Sequence, residues 1–112
     1  MNISVRKEGE KWILRVEDPR IDASAALAFK EAVRDAIIGA PSTVILDLQN
    51  VTFIDSSGLG AVVAILKLLA PERTLILAEL TPPVKRVFEL TRMDQVMTMY
   101  PTVDDALGRC GA

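Results

Sequence analysis

The chain has 112 residues, half of them hydrophobic and a quarter charged, which suits one globular domain built on a single core. Its net charge is −2, and the basic residues Arg6, Lys7, Lys11, Lys30, Arg34, Lys67, Lys85 and Arg86 are scattered, so neither the field nor the base-stacking array of a nucleic-acid binder is present. With no histidine and one cysteine, Cys110, the chain has no Ser-His-Asp triad, His metal site, Cys-built zinc or iron–sulfur centre, or internal disulfide.

A lone cysteine, placed by its position in a frayed helix end, points to a reducing compartment. The start, "MNISVRKEGEKWILRV", lacks the apolar stretch of a secretory signal. The longest apolar run, Leu59 to Ala70, contains Lys67 and falls short of the roughly 20 residues that span a bilayer. A soluble, cytoplasmic protein without membrane insertion is expected.

In chain order, "ISVRK" and "KWILRV" are short and rich in β-branched residues, and the intervening "EGE" carries a glycine for a tight reversal, so a hairpin is predicted. After the loop "EDPRIDAS", Ala26, Phe29, Val33 and Ile37 recur at three- and four-residue spacing and predict a helix over 25–38. Ser24 is its expected N-cap and "GAPS" its stop. "TVILDL" is almost continuously apolar, as a strand covered on both faces would be. A second helix is predicted over 57–69, then a strand at "RTLILA". Thr81, Pro82 and Pro83 open a third helix with Val84, Val87 and Phe88 facing inward. "VMTMY" is a short last strand, and "PTVDDALGRC" a short helix begun by Thr102 and Asp105. Asp104 and Asp105 are read as biasing that helix start rather than as an acid-base pair. Strands alternating with helices imply an α/β layer with parallel neighbours, made mixed by the opening hairpin.

The stretch "FIDSSGLG", residues 53–60, interrupts two buried elements with an acid, two serines and two glycines. It is neither the G-x-S-x-G elbow nor a phosphate-binding P-loop. One serine at a helix entrance is explained by capping, at about 1 kcal/mol. Two serines behind an acid, followed by Gly58 and Gly60, exceed that need, since each interior glycine costs roughly 1 kcal/mol of helix stability. Small residues here let another backbone or a phosphate come close to the positive end of the helix dipole. The helix is also apolar on two sides: Val62, Ile65, Leu66 and Leu69 form a core stripe, while Ala61, Ala64 and Leu68 lie opposite with Lys67 the only charge. That second side is either covered by neighbouring elements or part of an interface.

These residues resemble the STAS domain family, and within it the bacterial anti-sigma factor antagonists. The resemblance runs from "WILRV" through "RIDASAALAFKEAV" and "VILDLQNVTFIDSSGLGAVVAILK" to "LTPPVKRVFELTRMD", with D-S-S-G-L-G its most specific part. It departs from the family where "DPRID" replaces a common glycine-containing loop and where "TRMD" follows the third helix.

The resemblance implies an α/β fold, a single STAS domain over 1–112 with a mixed, mostly parallel sheet of about five strands and about four helices. It implies that Ser56 is the phosphorylated residue, that Asp55, Ser57, Gly58 and Leu59 meet the partner, and that Asp22 is the acid of the facing loop. Ala61 and Ala64 extend this surface along the helix. The implied partners are an anti-sigma factor that is itself an ATP-dependent serine kinase, and a serine phosphatase; no cofactor, metal or catalysis of its own is expected. Unphosphorylated protein would bind the kinase and free a sigma factor, and phosphorylation would abolish binding. The alternative is an unphosphorylated STAS subunit of a membrane transport assembly, such as a lipid transporter.

Overall fold

The computed structural model describes residues 1–108; Cys110 and the far end of the expected last helix lie outside them. Strands β1 (Ile3–Glu8) and β2 (Lys11–Val16) form the expected hairpin. Gly9 turns the chain at φ +62, a left-handed conformation open to a residue without Cβ. β2 pairs in parallel with β4 (Thr43–Asp47), β4 with β6 (Thr74–Ala78), and β6 with β7 (Thr98–Tyr100). The result is a mixed five-stranded sheet of order β1-β2-β4-β6-β7.

Among the described residues four α-helices accompany it: α1 (Ala26–Ala36), α2 (Ser56–Leu69), α3 (Pro82–Leu90) and α4 (Val103–Ala106). Strand alternation splits the core. Leu14, Val16, Val44, Leu46, Leu75 and Leu77 pack with Phe29 and Val33 of α1, Val62 and Ile65 of α2, and Val84 and Phe88 of α3. Ile13, Ile45, Ile76 and Ala78 face the other way, beneath Val103 and Ala106 of α4. β4 is therefore buried on both faces, as its unbroken apolar run predicts. Each large side chain so buried contributes about 1.5–3 kcal/mol, which makes the wholly enclosed Phe29 and Phe88 anchors of their helices. In α3, Val87 is only half-buried beside them.

Three features differ from the expected elements. A separate two-stranded parallel ribbon, β3 (Arg20–Ile21) with β5 (Phe53–Ile54), lies outside the main sheet; two residues per strand are too few to show a period. α1 is not capped by Ser24. Its cap position is Ala25, and Asp22 meets the free N–H groups instead, its Oδ1 accepting from Ser24 (3.1 Å) and Ala25 (3.2 Å) and its carbonyl from Ala25 (3.0 Å) and Ala26 (2.8 Å). α2 begins one residue early, at Ser56, with Asp55 as cap. The Thr102 cap of α4 is as expected, its hydroxyl accepting from the Asp105 N–H at 3.0 Å.

Candidate functional site

The ribbon brings the two loops of interest together. Ile21 pairs with Ile54, so the next residues, Asp22 and Asp55, leave it side by side at the heads of α1 and α2. Pro19 fixes the ribbon's start, its carbonyl accepting from the N–H groups of Thr52 (2.8 Å) and Phe53 (3.2 Å). Arg20 lies 4.1 Å over the Phe53 ring, a cation–π contact that ties the two strands across their outer surface.

Asp55 caps α2 in extended conformation. Its Oδ1 accepts from the Gly58 N–H at 2.9 Å and its Oδ2 from the Ala23 N–H at 3.0 Å. One carboxylate thus satisfies a first-turn donor of α2 and a donor of the facing loop, each bond to an ionised acceptor being stronger than a neutral one. Gly58 explains how the loops come so close. A Cβ there would lie 2.8 Å from Ile54 Cγ1, 2.9 Å from the Ile21 carbonyl carbon, and nearer still to that carbonyl's oxygen. The close approach expected of a glycine here is made by this chain's own backbone.

Asp22 is held from three sides. Beyond the two backbone N–H groups, the Ser24 hydroxyl donates to Oδ1 at 2.7 Å and Arg20 Nε to Oδ2 at 3.2 Å. The Ser24 hydrogen bond, followed by the Arg20 contact, holds its carboxyl below the ordinary 3.8. Ser24, expected as a helix cap, therefore serves the acid rather than the helix.

Ser56 and Ser57 occupy the first two positions of α2, and both are exposed. The first N–H groups of a helix lack intrahelical partners, so these hydroxyls stand at its partly positive end. Gly58, Leu59 and Ala61 are buried and shape the turn from beneath. Ala64 is half-buried and Leu68 is 46% exposed on the same helix. α1 packs beside α2, and this covers Ala61 while leaving Leu68 to solvent. In the expected core stripe, Val62, Ile65 and Leu69 are buried and Leu66 is half-buried.

Two features were absent from the sequence-based set. A surface hollow of about 370 Å³ opens between the helices, lined by Ala23, Ala26, Leu27, Lys30, Ser57, Gly60 and Ala61. Its one sequence signal is Gly60, a glycine inside a helix. On the opposite face of the sheet, Asp47 is 2% exposed, pairs with Arg15 Nε at 3.2 Å and accepts from the Gln49 N–H at 3.0 Å. Its partners are satisfied and it lies away from the serines. Among the described residues, no helix is long and apolar enough to cross a membrane.

Residues 2–106 match the STAS domain family. An anti-sigma F factor antagonist from Paenibacillus polymyxa is 31% identical over 65 residues, 57% of this chain and 56% of that protein, so the match spans little more than half of either. An anti-sigma factor antagonist from Mycobacterium paratuberculosis shares the fold with a TM-score of 0.85 and 28% identity, over 96% of this chain and 91% of that one. The Bacillus cell fate determinant SpoIIAA in its phosphorylated form has a TM-score of 0.67 and 25% identity, over 98% of this chain and all of the other.

Proposed function

This chain belongs to the STAS domain family, and from that premise we propose that it is an anti-sigma factor antagonist whose binding is switched at Ser56. Unmodified, the neutral head of α2 docks on an anti-sigma factor that is an ATP-dependent serine kinase, which gives up its sigma factor in exchange. Phosphorylation of Ser56 ends that binding, and a serine phosphatase restores it. The protein acts by occupying a partner rather than by catalysis.

The observation that carries this reading is the exposed Ser56 at the first position of α2, directly after the fixed carboxylate of Asp55, which bridges to the loop that holds Asp22. A phosphoryl group adds about −1.5 to −2 charges. The helix start tolerates that charge, because the dipole favours anions there. A partner surface fitted to the neutral form does not. Asp22, Ser57 and Ala64 frame the same surface, while Gly58, Leu59 and Ala61 hold its shape from within. Relatives named as anti-sigma factor antagonists, together with the similar Bacillus cell fate determinant SpoIIAA solved in a phosphorylated form, support the assignment.

The test is to incubate the protein with candidate anti-sigma serine kinases and ATP and to look for about 80 Da of added mass on the peptide containing Ser56. Ser56→Ala is expected to bind the kinase constitutively and Ser56→Asp to fail. Equal binding by both variants would refute the switch.

A further inference from the structure

Gly60 poses a different problem from Gly58. It lies inside α2, where glycine destabilises a helix relative to alanine. Yet a Cβ at Gly60 would meet nothing within 4 Å. This chain's own packing does not need the missing side chain, and the space above it is the hollow between α1 and α2.

The walls of that space show what would fit it. Ala23, Ala26, Gly60 and Ala61 present only backbone and methyl groups, and Leu27 stands at the rim with 62% of its surface exposed. Ala64 and Leu68 continue the apolar surface along α2, one and two turns beyond Gly60 and Ala61. Apolar groups gathered at one opening, beside the Ser57 and Lys30 that also line it, suit an interaction site. Room of about 370 Å³ corresponds to several waters at about 30 Å³ each, enough to admit a side chain on their displacement.

The only ionisable residue lining the hollow is Lys30. It is half-buried, and its ammonium has no hydrogen-bond or ion-pair partner among the described residues. A body covering the hollow would strip water from this ammonium, and a cation so desolvated requires an anion in compensation.

We propose that the hollow receives a large apolar side chain of the partner protein, and that an acidic residue beside it pairs with Lys30. This rests on the reading that the Ser56 surface meets a partner, since Ser57 lines the hollow and Ser56 adjoins it. It also gives the switch its sign. A phosphoryl dianion on Ser56 repels the arriving acid and competes with it for Lys30.

The test uses the full chain and the serine kinase found to modify Ser56, with affinity read by calorimetry and folding by thermal melting. Gly60→Met fills the hollow. It is expected to melt no lower than the parent protein and to bind the kinase at least tenfold more weakly. Gly60→Ala, which adds one methyl group, is expected to melt about 2–4 °C higher and to weaken binding less; it replaces Gly60→Met as the decisive variant if the larger residue lowers the melting temperature. Lys30→Glu is expected to lose at least tenfold and Lys30→Arg to stay within about threefold. Affinity within twofold of the parent for Lys30→Glu and the decisive Gly60 variant overturns the inference. If those variants bind normally while Ser56→Asp does not, only the hollow is refuted; if they lose affinity while Ser56→Asp binds normally, the hollow stands and the Ser56 switch falls.

Discussion

Two glycines two residues apart in α2 should respond to the same added methyl group with opposite signs. In Gly58→Ala the new Cβ would press on Ile54 Cγ1 at 2.8 Å and on the Ile21 carbonyl carbon at 2.9 Å, well inside the 3.5–4.0 Å optimum of about 0.1–0.2 kcal/mol per carbon pair. Ile54 has a side chain that can rotate. Ile21 presents backbone, held by the ribbon pairing and by the Pro19 hydrogen bonds next to it. α2 must therefore retreat, and a shift of even 0.5 Å would bring the 3.0 Å bond from Ala23 to Asp55 to the limit of useful length. Overpacking of this kind costs about 1–3 kcal/mol, and a weakened hydrogen bond adds about 0.5–1.5 kcal/mol. The better helix propensity of alanine returns about 1 kcal/mol, leaving a net loss of about 1–3 kcal/mol. Gly60→Ala has only the favourable part and should gain up to about 1 kcal/mol. Urea denaturation of the three proteins, with a common slope if two-state behaviour holds, reads these differences directly. If Gly58→Ala proves as stable as the parent, or both variants move in the same direction, the close approach at Ile21 does not constrain the fold as argued.

Asp55→Ala removes a helix cap worth about 0.5–2 kcal/mol together with the acceptor of Ala23. Denaturation should show a loss of about 1–3 kcal/mol, and hydrogen exchange at the Ala23 amide should accelerate; an unchanged exchange rate would remove the bridge from the account. Asp22 has a carboxyl depressed below 3.8 in the folded protein, so its contribution is present above about pH 4, where the unfolded carboxyl is also ionised, and is lost as pH falls through the folded value. Asp22→Asn should therefore flatten the acid limb of melting temperature against pH, and an identical limb in both proteins would dismiss the Ser24 and Arg20 contacts as the cause. Ala64→Arg should fold normally and abolish kinase binding in calorimetry; unchanged affinity would take that face of α2 out of the interface.

Hydrophobic period revealed the layers because one buried face per element leaves a repeating mark, and the unbroken run of β4 correctly signalled two covered faces. Capping was harder to read. Ser24 is a good N-cap residue by type, yet its hydroxyl donates to Asp22, an acid two positions earlier whose carboxylate gathers the Ser24 and Ala25 N–H groups, and the helix starts one residue later behind Ala25. The same substitution of acid for hydroxyl happens at Asp55, leaving Ser56 free of the capping role and on the surface. The ribbon and the hollow are tertiary features. Neither two-residue strands nor the space between two helices leaves a period along the chain, and Gly60 marks the hollow only when its empty surroundings are seen.

The same geometry bears on how strongly a phosphoryl group at Ser56 would act. The donors nearest the site are largely committed: Asp55 holds Gly58 and Ala23, and Asp22 holds Ser24, Ala25 and Arg20. A new dianion would find the first-turn N–H groups of α2, enough to keep the fold intact, and neighbouring carboxylates, Asp55 and Asp22, that repel it rather than neutralise it. Against one acidic group of a partner at about 7 Å, a double charge costs about 5 kcal/mol at an effective dielectric of about 20, and only about 1 kcal/mol in bulk water. Moving a bound population from 99:1 to 1:99 requires about 5.5 kcal/mol, so the charge suffices only where water has been expelled. In the proposed switch the serine would supply the charge, and the surroundings of Gly60, Leu27 and Ala64, once covered by a partner, would supply the dryness that makes it decisive. The reach of phosphorylation at Ser56 would thus be set by how well a partner seals α1 against α2.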